Sequence, residues 1–113
     1  MVTFHSEEVR VTLGQAISHA RKEAGLTLHQ LASRVVKENG TPISQVYLHD
    51  IETGKSNPRS EYLLRQLAQA LDLPPEYLYF LAGTLPTDLR AGSYTPERVQ
   101  AAFQAFRSAL VEE

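Results

Sequence analysis

The segment "PISQVYLHDIETGKSNPRS", residues 42–60, predicts a short helix followed by a polar loop. Ser44 is of a type that caps helix N-termini, and Gly54 is typical of the residue that follows a helix. Between them, Leu48 and Ile51 have the spacing of residues that face a core. The opposite face of this helix is polar, and the loop behind it carries cations and amides. The sequence therefore predicts one buried face and one exposed polar face.

The rest of the chain also has apolar residues at helical spacing, which predicts an all-α fold. Thr12, Thr27 and Ser60 are the predicted N-cap residues of the first, second and fourth helices. The second helix is expected to end by residues 39–40, an Asn-Gly pair, and "PPEYLYFLAG" (74–83) predicts a short fifth helix. Five helices within residues 12–83 make one compact domain, preceded by an N-terminal arm at 1–11.

The C-terminal part of the chain has a different composition. Residues 84–94, "TLPTDLRAGSY", contain the proline, glycine and small polar residues of a linker. Thr95 and Pro96 then begin an amphipathic helix that extends through residues 95–113. Two arrangements are open for its apolar stripe: packing against its own domain, or pairing with a second copy of the chain. We favour a dimer, with these residues at its interface: Val99, Phe103, Phe106 and Leu110.

Composition excludes several classes of site. The 113 residues include no cysteine, so disulfides, thiolate zinc sites and a cysteine nucleophile are absent. The four histidines, His5, His19, His29 and His49, have no ligand-like spacing, and no catalytic motif is visible, so neither a metal, a cofactor nor an enzymatic activity is expected. The longest notable apolar run, "YLYFLA" (77–82), is far shorter than the ~20 residues that span a bilayer. A cytoplasmic protein without membrane contact is expected.

Three spaced patterns resemble the helix-turn-helix domain of the Cro/C1-type (XRE) repressor family, which has a five-helix lambda-repressor-like fold. They are "LGQAISHARKEAGLTLHQLA" (13–32), "ISQVYLHDIETGKSNP" (43–58) and "LRQLAQAL" (64–71), and about twenty of their positions agree with the family. The resemblance covers residues 12–83. It implies that the third helix enters the major groove of double-stranded DNA. This implication meets one opposing observation, because the net charge of −2 gives no basic footprint.

The resemblance implies a role for each matching position. Base readout is implied for Ser44, Gln45, Val46, Tyr47, His49 and Asp50. Of these, Gln45 matches the donor and acceptor at an adenine edge. Phosphate contacts are implied for His29, Gln30, Lys55, Asn57 and Arg59, with His29 or Gln30 replacing a glutamine that the family often has at position 28. A structural ion pair is implied between Arg21 and Glu52.

One departure from the family lies between the second and third helices, where residues 36–41, "VKENGT", are extra length. Either the second helix is a turn longer or the loop bulges, and both readings keep the fold. The expected function is a dimeric, sequence-specific DNA-binding repressor that needs no cofactor. The alternative is an antitoxin or a protease-controlled regulator, in which the tail and linker bind a toxin or a regulatory protease as the main role.

Overall fold

The computed structural model describes residues 11–111 and is helical, with one isolated antiparallel bridge and no strand in that range. The N-terminal arm predicted at 1–11 lies outside the described residues apart from residue 11. The helices are α1 (Leu13–Glu23), α2 (Leu28–Arg34), α3 (Gln45–Thr53), α4 (Glu61–Leu71), α5 (Pro75–Ala82), α6 (Thr87–Arg90) and α7 (Pro96–Val111). The all-α prediction is confirmed for these residues.

The predicted helix caps are confirmed. The Thr12 hydroxyl accepts from the Gln15 N–H at 3.1 Å, and the Gln15 side chain accepts from the Thr12 N–H at 3.0 Å. Thr27 and Gln30 form the same reciprocal pair at the beginning of α2, with both distances at or below 3.0 Å. Single hydroxyl caps are also formed by Ser44, Ser60 and Thr95. Each cap satisfies backbone donors that a helix N-terminus otherwise leaves unpaired.

Helices α1 to α5 pack around one apolar core. The largest fully buried side chains come from all five of them and from the segment after α2: Ile17, Leu31, Val35, Leu48, Ile51, Leu64, Leu67 and Leu78. Helix α1 crosses α3 closely, because a Cβ at Gly14 would lie 2.5 Å from the Glu52 carbonyl oxygen and closer still to that of Ile51. The glycine thus lets α1 support the back of α3.

The sequence left open whether the second helix is a turn longer or the loop after it bulges, and α2 ends at Arg34, so the second alternative is the correct one. The residues that follow form a tight antiparallel loop, which we call the α2–α3 hairpin (residues 35–43). The Ile43 N–H donates to the Val35 carbonyl at 2.9 Å, and both side chains are buried. Gly40 has a φ of +91°, so this glycine serves the tip of the hairpin rather than a helix end. The extra residues of the sequence are therefore a loop.

The predicted linker contains a short helix. Helix α6 occupies residues 87–90, and the Glu61 carboxylate accepts a hydrogen bond from the Thr87 N–H at 2.7 Å. Helix α7 follows and is exposed along its whole length, although the rings of Phe80 and Phe106 meet edge to face at 6.0 Å between centroids. Within residues 11–111, no helix is long and apolar enough to cross a membrane.

Candidate nucleic-acid interface

Helix α3 has one face in the core and one in solvent. Leu48 and Ile51 are almost completely buried, while Val46 is 70% exposed. Of the other predicted base-reading residues, Ser44, Gln45 and His49 are exposed, and Tyr47 and Asp50 are half-buried. An exposed Val46 cannot be explained by packing in this chain. The outer surface of α3 thus combines amide, imidazole and apolar groups on a helix that the core holds from behind.

The loop from α3 to α4 holds three of the predicted phosphate contacts. Lys55, Asn57 and Arg59 are exposed, whereas Pro58 between them is buried and anchors the loop. The loop turns sharply at Gly54, where φ is +87°, and the Ser56 N–H donates to the Asp50 carbonyl at 3.0 Å. The loop therefore places Lys55 and Arg59 near the C-terminal end of α3.

The other two predicted phosphate contacts, His29 and Gln30, lie exposed in the first turn of α2. The Gln30 side-chain oxygen already accepts from the Thr27 N–H at 2.9 Å. Only the NH₂ group of this amide is left for another partner. A donor suits a phosphate oxygen, so the helix cap and a phosphate contact are compatible.

Arg21 and Glu52 form a bidentate ion pair between α1 and the last turn of α3. The Arg21 Nε lies 2.7 Å from one Glu52 carboxylate oxygen, and an Nη lies 3.1 Å from the other. A second Nη donates to the Leu26 carbonyl at 2.8 Å, and the two side chains are only 12% and 7% exposed. Hydrogen bonding to Glu52 raises the pKa of Arg21 further above its ordinary range.

Two carboxylates near α3 are paired with arginines. The carboxylate of Glu52 is satisfied by Arg21, and that of Glu61, in the first turn of α4, is paired with Arg65 at 2.5 Å. Hydrogen bonds from the side chain and backbone of Thr87, with a further one from Arg65, lower the pKa of Glu61 to about 2. Each of these two pairs is neutral as a whole, so neither carboxylate adds net negative charge to this surface.

A cleft of about 450 Å³ opens at the N-terminal end of α3. Its walls are the α2–α3 hairpin on one side and the first turn of α4 on the other. It is lined by Lys37, Glu38, Ile43, Ser44, Tyr47, Ser60, Tyr62 and Leu63. Two of the predicted base-reading residues, Ser44 and Tyr47, are brought together here. Asn57 lies elsewhere, in a second cleft beside Thr12 and Gln15.

Lys37 and Tyr62 in the first cleft were not predicted from the sequence. The signal for Lys37 was present, because a cation falls within the extra length between α2 and α3. Tyr62 carried no such signal, since a tyrosine in the first turn of a helix is ordinary. Within residues 11–111, no group of three or more histidine, aspartate and glutamate side chains is arranged to hold a metal ion.

A family model described as a helix-turn-helix domain matches residues 12–78, which is more than half of the chain. The chain belongs to the Cro/C1-type helix-turn-helix family. Members of this family are DNA-binding transcriptional regulators, and the matched residues contain the predicted base-reading helix together with the helices that support it. The resemblance found in the sequence patterns is thereby confirmed. No significantly similar sequence was found among curated proteins.

Two solved structures resemble this helix-turn-helix protein. One is SinR, described as the master regulator for biofilm formation, in complex with DNA. It is 28% identical, with a TM-score of 0.50 over 59% of this chain and 97% of that one. The other is a complex of the SinR and SinI proteins, at 23% identity and a TM-score of 0.51 over 87% of this chain and 99% of that one. The second likeness extends beyond the helix-turn-helix domain and concerns the fold alone.

Proposed function

We propose that the protein is a sequence-specific repressor that binds double-stranded DNA with α3 in the major groove. The observation that carries the proposal is the exposed outer face of α3, where Val46 and Gln45 lie in solvent while Leu48 and Ile51 hold the helix to the core. Gln45 is the residue assigned to direct readout of adenine, and Val46 suits contact with a thymine methyl. Asp50 accepts from a cytosine amino group and disfavours other bases.

Phosphate contacts fix the position of α3 in this proposal. Lys55, Asn57 and Arg59 are exposed in the loop that follows α3, and the first turn of α2 adds His29 and Gln30. Such contacts supply affinity without sequence information. SinR, which is 28% identical to this chain and was solved in complex with DNA, supports the proposal that this chain binds DNA.

A dimer is the proposed functional unit. One helix-turn-helix contacts few bases, and dimers of such domains reach two half-sites about 34 Å apart. Helix α7 offers a matching interface, because Val99, Phe103 and Leu110 are 40%, 52% and 56% exposed. Phe106, the fourth member of the stripe, packs against Phe80 of the same chain. That contact orients α7 and leaves the rest of the stripe for a second copy.

Repression is proposed to occur by occlusion of the promoter, in the cytoplasm and by binding alone. No catalytic step and no cofactor enters this mechanism. Two copies of α3 in successive major grooves cover the DNA that a polymerase would need. The proposed base contacts decide where the protein binds, and the phosphate contacts decide how tightly it binds at a given salt concentration.

DNA selection tests this function. Duplexes bound by the protein are enriched from a random pool, and fluorescence anisotropy then compares the selected duplex with a scrambled one across a salt series. We expect Gln45→Ala to reduce the preference for the selected duplex, at a cost of about 1–3 kcal/mol. Arg59→Ala should weaken binding to both duplexes. It should also reduce the slope of log K against log salt concentration by about one. Equal binding of the wild-type protein to both duplexes would refute sequence-specific recognition.

A second candidate function, binding of a partner protein, has its own supporting observation. Leu85, Leu89 and Tyr94 around α6 are about half exposed, and they add apolar surface to that of α7. The fold likeness to the SinR–SinI complex is compatible with a partner such as a toxin or a regulatory protease. Limited proteolysis distinguishes the two candidates. Selective cleavage between Leu85 and Tyr94 that abolishes self-association would favour a tail controlled by a partner.

A further inference from the structure

The α2–α3 hairpin is held firmly at its base and exposed at its tip. Val35 and Ile43 at its two ends are buried, and the Lys37 N–H donates to the Thr41 carbonyl at 2.7 Å. The Asn39 side chain accepts from the N–H and the hydroxyl of Thr41 at 3.0 and 2.8 Å, which closes the tip. The hairpin is therefore an ordered loop with an exposed tip.

A hydrogen bond joins the base of the hairpin to α4. The Val36 N–H donates to the side-chain oxygen of Gln66 on α4, although at a long 3.4 Å. Because the other end runs directly into Ser44, the N-cap of α3, the hairpin stands beside the N-terminal end of α3. The cleft of about 450 Å³ lies between the hairpin and the first turn of α4, with Tyr47 of α3 in its lining.

The position of this cleft relative to DNA follows from the proposed function, on which the present inference rests. When the N-terminal end of α3 lies in the major groove, structures that flank this end face the sugar-phosphate strands that border the groove. The hairpin on one side and Ser60 on the other are those structures. Ser60 directly follows Arg59, a predicted phosphate contact, so the same strand passes the mouth of the cleft.

We propose that the α2–α3 hairpin is an additional DNA-binding element and that its cleft receives one backbone phosphate, with Lys37 as the cation and Tyr62 as a hydroxyl donor. Lys37 lines the cleft and is exposed, and it forms no ion pair among residues 11–111. Its charge is therefore available to a phosphate.

Glu38 allows the direction of the change in DNA affinity to be tested. This carboxylate lies next to Lys37 and lines the same cleft. If a phosphate enters the cleft, Glu38 opposes it and Lys37 favours it, so neutralising the two side chains must change the affinity in opposite directions. If the hairpin stands more than a Debye length from the DNA, about 10 Å at 0.1 M salt, neither change is felt.

The test uses the full chain and the duplex selected from the random pool, with anisotropy measured across a salt series. Lys37→Gln should weaken binding about 3- to 10-fold near 0.1 M salt and reduce the salt slope by about one, on selected and scrambled duplexes alike. Glu38→Gln should tighten binding a few-fold on both duplexes. Tyr62→Phe should weaken binding and leave the salt slope unchanged, because it removes a neutral donor.

Matched controls carry the same charge changes elsewhere. Arg107→Gln removes a cation from α7, and Asp72→Asn removes an anion at the end of α4 opposite to Ser60. Asparagine also tolerates the left-handed backbone of residue 72, where φ is 58°. Both controls should bind DNA as the wild-type protein does. Effects equal to those of the hairpin variants would show that net charge alone is responsible and would overturn the proposal.

The two proposals fail in different ways. If Lys37→Gln and Glu38→Gln bind like the wild-type protein while Arg59→Ala weakens binding, the hairpin stands away from DNA and only the hairpin proposal falls. If the wild-type protein prefers no duplex, sequence-specific recognition falls, whereas weaker binding of Lys37→Gln to the scrambled duplex would still support the hairpin contact. Thermal melting of each variant separates loss of DNA contact from loss of fold, since Lys37 and Glu38 are exposed.

Discussion

At the scale of single residues, the pair of Arg21 and Glu52 connects stability to the proposed interface. Glu52 lies in the last turn of α3, and Arg21 ties it to α1 through two hydrogen bonds. Both side chains are withdrawn from water, so each charge depends on the other for solvation. The pair also fixes the end of α3 just before Lys55 and Arg59. A change here should affect folding first and DNA binding as a consequence.

Arg21→Ala should lower the free energy of unfolding by about 3–5 kcal/mol, because it leaves the Glu52 carboxylate buried without its partner. Urea denaturation measures this loss. The double variant Arg21→Met with Glu52→Leu serves as the control. It removes both charges, and it should be less destabilised than Arg21→Ala. An unchanged unfolding free energy in Arg21→Ala would show that the pair contributes nothing to stability.

At the scale of elements, local rules explain what was predictable from the sequence. The four predicted N-cap residues do cap their helices: Thr12, Thr27, Ser44 and Ser60. A hydroxyl just before a helical apolar stripe accepts a hydrogen bond from an otherwise unpaired backbone N–H of the first turn. The end of α2 was not predictable in this way. Gly40 is compatible with a helix end and with a hairpin tip. The hairpin forms because Val35 and Ile43 are buried in the core, and this burial depends on the folded chain as a whole.

The candidate site was predictable to a similar extent. The exposed residues of α3 follow from helical periodicity once Leu48 and Ile51 are assigned to the core. Tyr62 was missed because its place in the cleft depends on how the first turn of α4 meets the hairpin, a contact between distant segments. Helix α6 was missed for the same reason. Its first N–H is satisfied by Glu61, which is 26 residues earlier in the chain.

The bond between Glu61 and Thr87 predicts a pH dependence for the connection of α6 to α4. Hydrogen bonds from Thr87, and one from Arg65, lower the pKa of Glu61 from 4.5 to about 2. A lowered carboxylate pKa means that the interaction is complete above about pH 4.5 and is lost only as the pH falls towards 2. Between pH 6 and 3.5, the amide NMR signal of Thr87 should therefore show no titration of Glu61.

A comparison of variants assigns this NMR signal to the correct carboxylate. Asp88 lies next to Thr87, so Asp88→Asn removes the neighbouring carboxylate, and the Thr87 amide signal of this variant should stay constant over the same pH range. In Glu61→Gln the charge is absent, and the amide should shift from its wild-type position at neutral pH. A titration step of Thr87 centred near pH 4.5 in the Asp88→Asn variant would mean that Glu61 does not hold α6.

At the scale of the whole molecule, the domain and its tail present surfaces of opposite character. The five-helix domain buries its apolar residues and exposes polar groups on α3, whereas α7 has no buried residue at all. A helix of 16 residues with an apolar stripe is only marginally stable when it is fully exposed to water, because most helical stability in proteins comes from packing. The contact between Phe80 and Phe106 supplies only one ring pair. A second α7 is the partner that our proposed function requires.

Phe103→Asp should convert the proposed dimer to a monomer, as measured by light scattering coupled to size exclusion. A twofold interface contains each substitution twice, and burial of one phenylalanine contributes about 1.5–3 kcal/mol, so the dimer dissociation constant should rise about 100-fold or more. Ser108→Asp is the control, because it adds the same charge on the face of α7 opposite to the stripe and should remain dimeric. On DNA, the Phe103→Asp variant should bind single half-sites without cooperativity. If Phe103→Asp stays dimeric and reads paired half-sites as the wild-type protein does, the interface lies elsewhere, and the exposed stripe of α7 is left to a partner protein.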